Sequence, residues 1–316
     1  MTTLVAGAAG FIGSHLCDRL LAAGHEVVGV DNLVTGRRDN LAEAFDHPSF
    51  RFVEHDITEA LPDVGTIDQI YHLASPASPA DFATIPLQIL DVGSNGTKHL
   101  LQLATREQAR FLLASTSEVY GDPAVHPQPE TYLGNVDPIG PRSCYDEAKR
   151  FAEAITSAYR RHLGTDTVII RIFNTYGPRM RPDDGRVLTN FITQALRGDP
   201  VTLFGDGSQT RSFCFVDDEV GGIVAAMQSG LAGPFNIGNP AEISMRALAE
   251  LVLELTGSMS EIVTRPLPAE REGDPVRRRP DIDRARTMLS WDPTVSLRDG
   301  LVAMIADTRR ALGLTG

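Results

Sequence analysis

At 316 residues, with 42% of them hydrophobic, the chain is long enough for one large α/β domain or two coupled ones with a sizeable core. A formal net charge of −12 argues against nucleic acid or an anionic membrane surface as the main partner. Three scattered cysteines, Cys17, Cys144 and Cys214, exclude a disulfide framework and a cysteine-rich zinc site, fit a reducing cytoplasm, and leave no metal expected, since the eight histidines form no HExxH.

The first strand is Leu4-Val5-Ala6, so no leader segment is expected before it, and no later apolar run is long enough to span a membrane. Gly7-Ala8-Ala9-Gly10-Phe11-Ile12-Gly13 follows, then a helical pattern from Ser14 to Ala23, then the strand Val27-Val28-Gly29-Val30 ending in Asp31. This is a βαβ unit with a GxxGxxG turn. Glycine lets the backbone approach a pyrophosphate, and the helix start offers amides and a positive dipole end. Asp31 is placed to bind an adenosine ribose and favours NAD over NADP, whose 2′-phosphate it would repel. Arg37 and Arg38 pull toward NADP or are solvated loop charges; the balance favours NAD.

Phe50–Val53 reads as a third strand, leading to Asp56, which could read an adenine amino group or cap a helix. Gln69–Ser75 is a fourth, broken by Pro76 and Pro79; its His72 reads as a core histidine rather than a ligand. A helical stretch runs through Asn95-Gly96-Thr97 to Arg106. Phe111–Ala114 is a fifth strand, which puts Thr116, Ser117 and Glu118 at its carboxyl end, where ligands bind in open α/β sheets. Ser143 and Asp146 read as the cap of a helix that ends at Gly164. A sixth strand is Val168–Phe173. Strands alternating with helices predict a Rossmann-type, doubly wound parallel sheet over residues 1–176. Beyond it, 177–316 reads as a smaller carboxyl-terminal substrate-binding lobe, interleaved with segments returning to the sheet. There the strand Ser212–Val216, preceded by Arg211, and a helix from Ser244 to Gly257 are expected. Apolar helix faces around Leu100 and Phe151 suggest a homodimer, or core burial within one chain.

Tyr145 and Lys149 are four apart and share a helix face. A free tyrosine, with a pKa near ~10, is a poor base. An ammonium about 4 Å away would favour the phenolate by roughly 4 kcal/mol at an effective dielectric of about 20, or about three pKa units. An oxidised nicotinamide nearby would add to this. Tyr145 could then take a proton from a substrate hydroxyl while hydride leaves the same carbon.

Long segments carry a resemblance: His72–Pro79, Ala114–Pro123, Pro138–Glu147, Arg171–Met180, Asp184–Val187, Gly207–Phe213 and Arg278–Ile282. The chain resembles the extended short-chain dehydrogenase/reductases, in their NAD-dependent sugar-nucleotide epimerase/dehydratase branch, and within it the UDP-glucuronate decarboxylases. The resemblance implies a catalytic pair in Tyr145 and Lys149 with Thr116 as hydroxyl partner. It implies NAD contacts from Gly7, Gly10, Phe11, Ile12 and Gly13, then Asp31, Asn32, Thr35 and Gly36, then Asp56, Ile57, Leu73, Ala74 and Ser75. It implies that Asn174, Arg179, Arg186, Arg211 and Arg278 hold the UDP-sugar. Arginine suits these roles because its fork pairs bidentately with phosphate and carboxylate.

The residues after Thr116 separate the chemistries of the branch. The resemblance implies that 4,6-dehydratases carry an Asp-Glu pair there, and that 4-epimerases are small and uncharged there. Ser117-Glu118 is the decarboxylase pattern, and Glu118 would either repel the sugar carboxylate or order a water. Where the family has a lysine and an asparagine before the glycine-threonine step, this chain has Asp91, Val92 and Gly93. Another 4-oxidising nucleotide-sugar enzyme, or a non-catalytic NAD-binding regulator, are the alternatives; such regulators typically lack the tyrosine that this chain keeps.

Overall fold

The computed structural model describes residues 1–266 and 277–314. Its centre is a seven-stranded sheet. Six strands are β1 (Thr2–Ala6), β2 (Glu26–Asp31), β3 (Phe50–Glu54), β4 (Gln69–His72), β5 (Arg110–Thr116) and β6 (Thr167–Ile172); Phe235–Ile237 completes it. Across the sheet the order is Phe235–Ile237, β6, β5, β4, β1, β2, β3, with every pairing parallel.

The continuous apolar strands follow from burial on both faces, since alternate residues point to opposite sides. Val5, Leu112, Ala114, Val168 and Ile170 belong to one apolar cluster. Leu4, Ala6, Phe111, Leu113 and Ile169 belong to the cluster on the other face. The chain runs outward through β1, β2 and β3, then crosses back to lay β4 beside β1. That reversal opens a crevice at the carboxyl ends of β1 and β4.

Beyond Tyr176 the strands are short and, apart from Phe235–Ile237, pair outside the central sheet. Val201–Phe204 pairs with Ile262–Arg265, and Thr210–Ser212 lies between Glu242–Ser244 and Arg277–Arg278. The expected strand Ser212–Val216 is broken: only Cys214–Phe215 continues, and Val216 begins the helix Val216–Gln228. Met245–Thr256 is capped by the Ser244 side chain and stopped by the left-handed Gly257. The Thr97–Glu107 helix buries Leu100 completely, so the face read as a dimer contact is core at that position. Phe151, Leu87 and Leu90 do stay exposed, at 49%, 72% and 38%. No helix among the described residues is long and apolar enough to cross a membrane.

Candidate active site

The glycine turn after β1 is built for close approach. Gly7 is left-handed at φ 83°, and a Cβ there would lie 2.7 Å from the Ala74 nitrogen. A Cβ on Gly13 would lie 1.9 Å from the Gly7 carbonyl oxygen, so only glycine lets the helix Phe11–Ala22 start against the turn. Leu73 and Ala74 therefore run directly beside the turn, and Ser75 follows them in the chain. Asp31 accepts from the Ala9 and Leu33 amides at 2.9 and 2.8 Å, and Gly36 packs against its carboxylate. Asp56 accepts from Asn32 and from both the amide and the hydroxyl of Thr58. It thus closes its own turn, with no helix following for it to cap, while tying the ends of β2 and β3 together. Ile57 packs against Gly96. Thr35 lies half-buried in the same loop. Arg38 is spent on Glu54 and on the Phe45 and Phe52 rings, and Arg37 donates to Asn40. A side-chain-free turn, a helix start and a fixed carboxylate at the crevice fit a dinucleotide, with the two arginines engaged elsewhere.

Thr116 ends β5, and its side chain accepts from the Glu118 amide, opening the turn Ser117–Tyr120. The helix Ser143–Leu163 brings Tyr145 and Lys149 beneath it. A buried network locks helix to sheet. Glu153 accepts from Ser115 at 2.7 Å and from both ends of the Arg171 fork at 2.9 and 2.7 Å, and Arg171 also donates to Tyr120. The helix begins at Ser143 itself, with Arg142 in the cap position and no side-chain cap, so Ser143 does not cap it. Gly164 ends it, left-handed, as expected.

Tyr145 is buried and stacks on Phe82, with ring centres 5.0 Å apart. Burial pushes its phenol up to about 12, opposed by the hydrogen bond to Thr116 and by the charge of Arg186. Lys149 donates to the Ala114 carbonyl at 2.9 Å, 5.9 Å from the centre of the Tyr145 ring, and burial lowers its ammonium to about 8. The expected phenolate stabilisation is therefore not supplied by Lys149 alone. Desolvation of the phenol outweighs an ammonium whose proton is committed to a carbonyl.

Glu118 is clamped. Arg278 grips both its oxygens, donating to Oε2 at 2.8 Å and to Oε1, and Arg142 donates to Oε2 at 2.7 Å. Burial would raise this carboxyl, but Arg278 and Arg142 together outweigh it and hold it below the ordinary range. A glutamate neutralised twice is a poor source of like-charge repulsion, so that expectation for Glu118 gives way to an arginine-positioning geometry. Arg278 is buried and Arg277 exposed.

Arg211 stands beside Arg278 across paired strands. Asn174 donates to the Ser212 carbonyl of that sheet at 3.4 Å. Arg186 precedes the helix Val187–Arg197, donates to the Ala77 carbonyl at 2.9 Å, and is near enough to act on Tyr145. Arg179 does not join them. It sits at φ 70°, pairs with Asp18 of the first helix at 2.7 Å, and its amide donates to Asp307 of the last, so it clasps helices rather than facing the cluster.

A family model described as the NAD dependent epimerase/dehydratase family matches residues 3–238. The chain belongs to that family. It is 51% identical over 98% of its length to UDP-glucuronic acid decarboxylase 1 of Arabidopsis thaliana, covering 70% of that protein. It is 50% identical, again over 98%, to UDP-glucuronic acid decarboxylase 1 of Xenopus tropicalis, covering 72% of it. Among solved structures, a Bacillus cereus UDP-glucuronic acid 4-epimerase bound to UDP-glucuronic acid and NAD superposes with a TM-score of 0.88 at 32% identity. The match covers 98% of this chain and all of that one.

Val92–Gly96 is a π-helical turn, and a Cβ on Gly93 would lie 2.7 Å from that of Ala148. The side chain an asparagine would bring is excluded by helix contact beside Lys149. Asp91 is exposed and accepts from Asn95 at 3.3 Å. Three residues of the cluster escape sequence reasoning: Phe82, Arg142 and Asp146. The spacing of Arg142 and Asp146 around Tyr145 was available as a signal, but each looks like a helix-start charge.

Proposed function

We propose that the chain decarboxylates UDP-glucuronate to UDP-xylose through a 4-keto sugar, with NAD regenerated in each turnover. Near-full-length identity of about 50% to proteins named UDP-glucuronic acid decarboxylase carries this reading. The Ser117-Glu118 pair supports it, because Ser117 cannot supply the carboxylic proton a dehydratase needs to expel water.

Bound between the glycine turn after β1, Asp31 and the Leu73–Ser75 stretch, NAD would supply a reversible hydride acceptor for carbon 4 and a positive charge that favours the phenolate. Tyr145, as the phenolate, accepts the proton of the carbon 4 hydroxyl and becomes the phenol, with Thr116 hydrogen-bonded to it and Lys149 holding the strand end. The resulting sugar is a β-keto acid, since its carboxylate hangs from carbon 5, and it loses carbon dioxide readily. Tyr145, now protonated, and Thr116 donate to the developing enolate oxygen. Glu118 fixes Arg278 and Arg142 as a cationic floor for the sugar carboxylate. Asn174, Arg186 and Arg211 take the UDP. Residues 1–176 serve NAD, and 177–316 mainly the substrate. Leu87, Leu90 and Phe151 offer an apolar face for a homodimer, and the three free, buried cysteines fit a cytoplasmic protein. The acidic charge leaves nucleic acid without a role.

Incubation with UDP-glucuronate and NAD tests the reading by product mass. Loss of one carbon dioxide is expected; a product of unchanged mass would make the chain a 4-epimerase. For cofactor choice, Asp31→Ala should weaken NAD binding about tenfold or more, given the ~1.5–3 kcal/mol of a charged hydrogen bond, and narrow the gap to NADP. A wild-type protein that already prefers NADP in titrations contradicts the role of Asp31.

A further inference from the structure

Asp146 has no part in the chemistry above, yet it sits inside the charged cluster. It is 5% exposed, one residue after Tyr145, and its Oδ1 is buried with no hydrogen-bond partner among the described residues. Its Oδ2 lies 4.0 Å from the Nε of Arg142, one turn back. Arg142 meanwhile donates to Glu118 and lies 5.6 Å over the Phe82 ring. The charged groups that face Asp146 are Glu118 from the turn after β5, Arg278 from Arg277–Arg278, and Arg142 and Glu147 from its own stretch. Tyr145 and Cys144 are its titratable neighbours on the helix. The helix Pro79–Thr84 contributes the apolar Phe82.

Two guanidinium groups thus serve one paired carboxylate and one half-satisfied carboxyl. Among the described residues Arg142 and Arg278 carry the positive charge here and Glu118 the negative, and a neutral Asp146 adds nothing to that balance. With Asp146 ionised, the cluster is one charge less positive, and Arg142 has a second carboxylate within one helical turn.

We propose that Asp146 is a positioning residue for the sugar carboxylate: neutral, it leaves Arg142 on Glu118; ionised, it draws Arg142 away and makes the cluster one charge less positive. This rests on the reading of the site as one that takes UDP-glucuronate. Burial and the charge of Glu118 push the Asp146 carboxyl up to about 7, against the pull of Arg142 and Arg278. The sign follows. Asp146 is neutral below that pH and charged above it, so a sugar that carries a carboxylate is held more tightly on the acid side. A sugar without one is indifferent.

The test uses NAD-loaded protein in a Tyr145→Phe background, so that binding is read without turnover. Dissociation constants for UDP-glucuronate and UDP-xylose are measured from about pH 6 to about pH 8, a window that brackets the Asp146 transition. The affinity for UDP-glucuronate should fall by at least about threefold, that for UDP-xylose should stay level, and Asp146→Asn should flatten the first curve at its acid-side value. An equal fall for both sugars, or an unchanged curve in Asp146→Asn, overturns the proposal and leaves the proposed function standing. If Asp146→Asn fails to fold, Asp146→Ser, which also lacks the titrating carboxyl, takes its place in the same comparison. Failure of UDP-glucuronate to bind at any pH, with NAD still bound, overturns the function and the proposal together.

Discussion

Tyr145→Phe should leave the fold and NAD binding intact and reduce turnover of UDP-glucuronate by the roughly 10²–10⁴-fold typical of lost general acid–base catalysis, or more. The substitution removes one oxygen and keeps the ring, so the stack on Phe82 survives. What goes is the hydroxyl paired with Thr116. That hydroxyl has two tasks, taking the carbon 4 proton and then donating to the enolate oxygen, so both halves of the reaction slow together. Steady-state turnover with a parallel NAD titration reads the result. Near-normal turnover would remove Tyr145 from the mechanism.

Glu118→Gln should be nearly as damaging, for a different reason. The carboxylate holds two arginines that are 8% and 19% exposed in their side chains. Breaking a buried pair leaves an uncompensated charge and costs about 3–5 kcal/mol. An amide keeps the shape and loses the charge, so Arg278 and Arg142 turn to the next anion available, the sugar carboxylate. Binding of UDP-glucuronate should hold or tighten while turnover falls by about 10²-fold or more, as when a preorganised electrostatic contact is lost. A melting curve separates this from unfolding. Unchanged turnover would reduce Glu118 to scaffold.

Local patterns carried much of this into the sequence. Leu4–Ala6 and Phe111–Ala114 read as buried strands because both their faces are covered, so no polar residue interrupts them. Tyr145 and Lys149 read as a pair because four residues make a helical turn. Legibility stops where partners lie far apart in the chain or burial decides the energy. Glu118 meets Arg142 across 24 residues and Arg278 across 160, and nothing local announces either contact. Arg179 looks like its neighbours in the motif, but a left-handed backbone turns it toward Asp18. Lys149 promises an acidic Tyr145 by spacing alone, whereas desolvation and the Ala114 carbonyl reverse the balance. Asp91, Val92 and Gly93 read as lost contacts; in three dimensions Gly93 lets one helix lie against Ala148 of another.

The central claim is a decarboxylation with no net redox change, and one reaction in deuterium oxide tests it most directly. UDP-glucuronate is incubated with the NAD-loaded protein, and the sugar, the gas and the reduced cofactor are all counted. Carbon 4 keeps its own hydrogen, while carbon 5 takes its new one from solvent. The account predicts UDP-xylose with one deuterium, at carbon 5, one carbon dioxide per sugar, and NADH far below product. NADH and a 4-keto-pentose in equal amounts would contradict it, making the chain an oxidative decarboxylase that releases its intermediate.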